Sequence, residues 1–256
     1  MIEKRRLLID QDRLGEHIDS QRQIALTNSE MHYLSRVMRM KKGHLVDIVD
    51  GKGHLWNAEI EEGDFLKLTT NLNSPLQTSL REKPLICLAV SIPKKGFENV
   101  LQMCCEIGVD VIQPLISQRS IVKDSNNVKD LRWKKIIYEA VEQSERLWCP
   151  ELRQVLKLQN WLNNYSPDSH IAFANPRIDG LKDCVEWLNQ RPLKINEVWI
   201  AIGPEGGWNK YEQSLASDSG FDALSMGETI LRTSTAAVGA CQLMTSWRRL
   251  RSSIDK

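Results

Sequence analysis

The spacing of apolar residues changes character near residue 85. Upstream, in "TNSEMHYLSRVMRM", Met31, Leu34 and Val37 or Met38 recur at helical intervals, and Thr27 and Glu30 stand at capping-box spacing, which predicts a helix of about ten residues. "HLVDIVDGKGHLWNAEI" then alternates apolar and polar residues on either side of Asp50-Gly51-Lys52-Gly53, the pattern of a hairpin. Residues 1–74 therefore read as a small β-rich domain with one helix. "NLNSPLQTSLREKP", Asn71 to Pro84, is polar, carries two prolines and has no period, so a linker is expected over 75–84 with the boundary near Leu80.

From Leu85 onward apolar strands alternate with helical patterns: "PLICLAVSI", "FENVLQMCCEIGV", "DVIQPLIS", "RWKKIIYEAVEQSERLW", "HIAFANP", "EVWIAIGPEGG" and "FDALSMG". A last helix is expected from Ser234 to Leu250, with Ala236, Ala240, Leu243 and Trp247 on its packed side. Such alternation predicts an α/β domain over 85–256 with a mainly parallel sheet, whose loops gather at the carboxyl edge where open sheets take ligands. No internal repeat or low-complexity segment interrupts it.

At 256 residues the chain suffices for one large domain or two smaller ones, and its 41% apolar share suits a buried core. A net charge of +1 with 26% charged residues excludes a uniformly basic coat, so nucleic-acid contacts must come from local patches. No apolar run has the length of a membrane helix and the charged start "MIEKRRLLID" lacks a signal-peptide core, so a cytoplasmic protein without a membrane partner is expected. The six cysteines form no C-x-x-C pair and no metal-spaced cluster, which points to buried reduced thiols and no metal site.

The candidate chemistry lies in two loops. In "WIAIGPEGGWNKYEQ" an apolar strand runs into Gly203-Pro204-Glu205-Gly206-Gly207, and Asn209 with Glu212 can cap the helix that follows. A second strand ends at Met226-Gly227 and leads into "ILRTSTAA". Neither a P-loop nor a G-x-G-x-x-G fingerprint is present, and Glu205 opposes a phosphate. The paired loops suit a ligand with hydrogen-bonding edges and a positive centre.

"IGPEGGW" followed by "MGETILRTSTAA" closely resembles the signature of the RsmE family, the 16S rRNA uridine-N3 methyltransferases of the SPOUT class. "HYLSRVMRMKKG", "EIGVDVIQPLISQRS" and "RWKKIIYEAVEQSER" extend the resemblance over most of the chain. It implies a PUA-like β-barrel at the amino end and an α/β methyltransferase domain whose carboxyl end is threaded into a deep trefoil knot. It also implies S-adenosylmethionine as cofactor, 16S rRNA or the small ribosomal subunit as partner, and a homodimer for which the final helix offers a surface. A protein that keeps the fold as a non-catalytic RNA-binding or ribosome-assembly factor is the alternative.

By motif match the cofactor-binding residues are Ile202, Gly203, Pro204, Glu205, Gly206 and Gly207 in the first loop, with Met226, Gly227, Ile230, Leu231 and Arg232 in the second. A third loop is expected near Phe173, Ala174 and Asn175. Uridine N3 carries a proton, so its methylation calls for positioning and for a base or a cation that stabilises the uracil anion. Arg232 is the catalytic candidate, as that cation or as the group fixing the target nucleotide; a structural ion pair is the other reading. Arg36, Arg39, Lys41 and Lys42 form a basic cluster that in family terms binds RNA, and Arg119 and Arg146, with the polar side of the middle helix, are assigned the same role. Ser234 and Met103 depart from the family pattern, an acidic residue and often a lysine standing at these positions, so no general base is assigned.

Overall fold

A computed structural model describes residues 5–16, 23–122, 127–163, 165, 169–175, 178, 180–192 and 194–254. The chain divides into two compact units: Met1–Arg81 with Val141–Cys149, and Glu82–Ala140 with Pro150–Lys256.

In the first unit the elements are β1 (Arg6–Leu8), α1 (Gln11–Glu16), β2 (Gln23–Ala25), α2 (Asn28–His32), β3 (Leu45–Val49), β4 (His54–Ile60), β5 (Phe65–Leu68) and β6 (Gln77–Thr78). The sheet runs β1-β3-β4-β5-β2 with β6 also on β4; only β1 and β3 are parallel. Leu7, Ile24, Leu34, Val46, Ile48, Trp56, Leu66 and Leu68 form its core. Helix α2 begins with the Thr27–Glu30 capping box and continues as a wider π-helical turn over Tyr33–Val37, so the expected ten-residue helix changes hydrogen-bond step midway. Arg13 clamps Glu30 at 2.6 and 2.9 Å.

The β3–β4 hairpin is held by Asp50, whose carboxylate accepts from the backbone N–H groups of Lys52 (2.7 Å) and His54 (3.1 Å) and pairs with the His54 ring at 2.7 Å. Burial pushes the Asp50 carboxyl up, but the His54 ring and the two backbone donors together hold it below its ordinary value. Gln77–Thr78, inside the segment expected as a linker, pairs with β4. The segment Val141–Cys149 joins this unit through long-range bonds: the Glu142 carboxylate accepts the Leu8 N–H at 2.8 Å, and the Trp148 indole donates to the Ser79 carbonyl at 3.1 Å.

The second unit contains β7 (Leu85–Ser91), α3 (Phe97–Ile107), β8 (Val111–Ile116), α4 (Asn127–Gln143), β9 (Glu151–Leu152), β10 (Leu156–Lys157), α5 (Leu158–Leu162), β11 (Ser169–Ala174), β12 (Lys182–Asp183), α6 (Cys184–Asn189), β13 (Glu197–Ile202), α7 (Lys210–Asp218), β14 (Asp222–Ser225) and α8 (Thr233–Ile254); α4 reaches into the first unit. Its strands are all parallel, in the order β10-β8-β7-β13-β11-β14-β12 with β9 beside β8. Central strands β7 and β13 are buried almost throughout, which explains their continuous apolar runs: a parallel sheet covered on both faces has no solvent side to alternate with. Pro114 sits within β8 where it lacks an N–H to donate, between the residues paired with β9 and those paired with β10. The Gln113 side chain fills that gap by donating to the Gln154 carbonyl at 2.7 Å.

Helix α3 ends at Gly108, whose φ of 112° favours glycine. The buried Arg248 of α8 bonds the Asp110 carboxylate and the Pro84 carbonyl, and Asp110 also accepts the Ile86 N–H, so the far end of α8 is fastened to the entry of β7. All six cysteines are free and all but Cys149 are buried; burial, with Asp183 nearby, pushes the Cys184 thiol up to about 12. Among the described residues no helix is long and apolar enough to cross a membrane, and no group of three or more His, Cys, Asp or Glu could hold a metal ion.

Candidate functional site

A pocket of about 770 Å³, counted with its open mouth, lies at the carboxyl edge of the second sheet. Four strand ends and one helix start converge on it: Arg119 follows β8, Ala174 ends β11 and Asn175 follows it, Ile202 ends β13 and Gly203 to Trp208 follow it, Met226, Thr229, Ile230 and Leu231 follow β14, and Thr233 and Ala236 open α8. The crevice at strand ends is where open α/β sheets bind ligands.

The first loop is built to leave room. Gly207 N–H donates to the Pro204 carbonyl at 2.8 Å, closing a turn through Glu205 and Gly206, and Gly207 then takes a φ of +67° that its missing Cβ permits. At Gly203 the gap left by the absent Cβ is filled by Trp208, whose ring would stand 3.1 Å from such an atom. The Trp208 indole donates to the Ala174 carbonyl at 3.2 Å, joining the first loop to the third, and its ring packs 4.9 Å from that of Phe173. Thr233 Oγ1 donates to the Gly203 carbonyl at 3.0 Å, so the start of α8 is pinned to the same loop.

Helix α7 fastens the loop from its far side. Asn209 and Glu212 form the expected capping box, and the buried Glu212 carboxylate also accepts the Gln118 N–H at 2.7 Å. Glu205 Oε1 accepts the Lys94 N–H at 2.9 Å while its side chain stays exposed at the pocket wall. The wall therefore combines apolar surface from Ile202, Leu231 and Ala236 with backbone polar groups, one acid and one cation.

The structure brings together Ala174, Ile202, Gly203, Pro204, Glu205, Gly206, Gly207, Met226, Ile230 and Leu231, all named from sequence. Phe173 is elsewhere: it lies in the core beneath the pocket with Trp161, Trp199 and Trp208, because on a strand its side chain points to the face opposite that of Ala174. Gly227 and Arg232 flank the wall without forming it; Gly227 N–H bonds the Ser225 hydroxyl, and the Arg232 guanidinium is exposed with no ion-pair partner among the described residues. Arg119, assigned to RNA from sequence, lines the pocket.

Arg36, Arg39, Lys41 and Lys42 are exposed on the first unit, where Lys42 pairs with Glu62 at 2.8 Å. Arg146 is half-buried in that unit and its carbonyl accepts from Arg6. Glu142, on the polar side of α4, serves the Leu8 N–H instead of facing solvent. Trp208, Gln213, Thr229, Thr233 and Ala236 complete the wall and were not singled out as ligand contacts. Adjacency to the glycine loops marks Trp208 and Thr233, whereas nothing in the spacing marks Gln213.

A fully parallel sheet with a pocket at its carboxyl-edge loops, preceded in the chain by a small mostly antiparallel sheet, is the framework on which the family models place an RNA methyltransferase with a PUA domain. The profile of the RNA methyltransferase domain matches residues 81–245 and that of the RNA methyltransferase PUA domain matches residues 26–71. The chain belongs to the ribosomal RNA small subunit methyltransferase E family. It is 34% identical to the member from Synechocystis sp. over 83% of this chain and 69% of that one. Among solved structures it is similar to a Legionella pneumophila protein in complex with the bound cofactor SAM, at 30% identity and a TM-score of 0.81 over 96% of this chain and 98% of that one. The Neisseria gonorrhoeae ribosomal RNA small subunit methyltransferase E bound to S-adenosyl methionine aligns with a TM-score of 0.76 at 26% identity, over 95% and 98%.

Proposed function

We propose that this chain transfers a methyl group from S-adenosylmethionine to N3 of one uridine in small-subunit ribosomal RNA. The observation that carries the reading is the pocket formed by Gly203–Gly207, Met226, Thr229, Ile230, Leu231 and the start of α8 in a chain of this family. Its walls fit the cofactor: apolar Ile202, Leu231 and Ala236 suit a flat base, the loop backbones offer polar edges, and Glu205 suits a positive centre where a phosphate would be opposed. When bound, the cofactor supplies an electrophilic methyl on a sulfonium sulfur.

The chain's own residues position and shield. The first glycine loop, tied to the end of β11 through Trp208 and to the start of α8 through Thr233, is one wall of a fixed cradle, so little of the rate is spent on ordering it. We assign residues 1–74 to RNA binding and 85–256 to catalysis, with Arg36, Arg39, Lys41 and Lys42 on phosphates and Arg232, exposed before α8, on the target nucleotide. Recognition of a single uridine requires its base to be accessible or turned out, with phosphate contacts setting register and pocket contacts setting choice. The working form is a homodimer in the cytoplasm, where its ribosomal substrate is made. The trefoil crossing lies at the two glycine loops and the start of α8.

Mass analysis of ribosomal RNA from a strain lacking the gene tests the reading. One N3-methyluridine should be missing from the small-subunit RNA and restored by the purified protein with S-adenosylmethionine. Unchanged methylation in that strain returns the chain to a non-catalytic RNA-binding role.

A further inference from the structure

We infer that Arg119 is the catalytic cation of this site, holding the charge that develops on the uracil ring as N3 loses its proton; this rests on the uridine-methylating reading above. Arg119 is the one positively charged side chain among the residues lining the pocket, whereas Arg232 lies outside the wall. Position in the wall, not proximity to a motif, decides which arginine meets the base.

The segment carrying Arg119 is locked. Ser120 N–H donates to the Ser117 carbonyl at 3.1 Å, Ser117 N–H donates to the Ser120 hydroxyl at 3.0 Å, and the two hydroxyls are 2.8 Å apart. The Ser91 hydroxyl reaches that of Ser117 at 3.2 Å, and all three serines are buried. A buried hydroxyl chain with every member bonded fixes a turn in one arrangement. Arg119 projects from this turn, and its stem lies against Gly206, where a Cβ would stand 3.3 Å from the arginine Cδ.

One guanidinium nitrogen donates to the Gly206 carbonyl at 2.8 Å. That bond aims the group across the loop, and the remaining N–H donors have no other protein partner among the described residues. When the N3–H bond of uridine breaks, its electron pair stays on the ring, spread over N3, O2 and O4, and the proton passes to water. A guanidinium on O2 or O4 stabilises that charge and leaves the N3 lone pair unobstructed. An amine at the same place gives a point charge without the fork. A guanidinium offers donors and no acceptor, so Arg119 acts as an electrostatic partner and not as the base.

The test uses full-length protein and an RNA fragment carrying the target uridine found by mass analysis, with 5-fluorouridine in its place for fluorine NMR. Binding to the wild-type protein should lower the pH midpoint of base ionisation relative to free RNA, and binding to R119A should not. In single-turnover methylation of the normal fragment R119A should be slower by about 10²-fold, the usual effect of removing one charge-stabilising donor, and R119K should fall between. Higher pH should recover most of the R119A loss, and at saturating S-adenosylmethionine that loss should persist and exceed any loss of cofactor affinity measured by calorimetry. Equal ionisation midpoints for wild type and R119A, or a rate loss no larger than the loss of cofactor affinity, overturns the assignment and leaves Arg119 a support for the Gly206 loop. Wild-type protein that forms no N3-methyluridine overturns the underlying reading and this inference with it.

Discussion

Gly206 shows how a missing side chain makes a site. A Cβ there would meet only the Cβ and the flexible stem of Arg119, at 3.4 and 3.3 Å, so the fold has no strong need for glycine at this point. The space matters to the ligand. Gly206→Val is therefore expected to weaken S-adenosylmethionine binding by roughly tenfold or more, about 1.4 kcal/mol, with the melting temperature little changed. Calorimetry and thermal melting of the same preparation check this, and unchanged affinity would remove the loop from the site. Glu205 makes a complementary case, because its carboxylate accepts the Lys94 N–H while lining the pocket. Glu205→Gln keeps an acceptor for that bond and loses only the charge, whereas Glu205→Ala loses both. If charge serves the cofactor, both variants should bind S-adenosylmethionine more weakly; if only the bond matters, glutamine should behave as wild type.

The link between α8 and the first loop belongs to the elements and not to any one motif. Thr233 is buried at the first position of α8 and its hydroxyl satisfies the Gly203 carbonyl, thirty residues away in the chain. Thr233→Val keeps the shape but leaves that carbonyl without its partner, at an expected cost of about 1–2 kcal/mol in denaturant unfolding, with weaker cofactor binding. Thr233→Ser retains the hydroxyl and should recover most of both. Helix starts of this kind were readable because capping is local: Thr27 with Glu30 and Asn209 with Glu212 signal their own boxes three residues apart. The Thr233 bond was not, since its acceptor sits on another element and only the packing of α8 against β13 brings them together.

For the molecule as a whole, RNA binding and cofactor binding are assigned to separate units, so they should separate in mutants. Replacing Arg36 and Arg39 by alanine should lower RNA affinity and reduce the slope of log affinity against log salt by about 1.4, as expected for two lost contacts on a single strand. Cofactor affinity should not move. A salt slope equal to wild type would make the cluster an ordinary solvated surface. The proposed dimer is checked by light scattering, where a mass near twice the 29.4 kDa chain is expected and a single-chain mass removes the dimer.

Local signals carried the reading a long way. Alternation around Asp50-Gly51-Lys52-Gly53 placed the β3–β4 hairpin, continuous apolar runs marked the buried parallel strands, and the two glycine loops marked the pocket. Each depends on neighbours within a few residues, where backbone geometry and hydrophobic period act directly. Strand order, with β13 between β7 and β11, the pairing of Gln77–Thr78 with β4 and the grouping of Val141–Cys149 with the amino-terminal unit arise from contacts far apart in the chain. So do the placement of Phe173 in the core and of Arg119 at the pocket wall, while Arg232 stays outside it. Those outcomes depend on which distant surfaces bury one another, a choice that spacing along the chain does not encode.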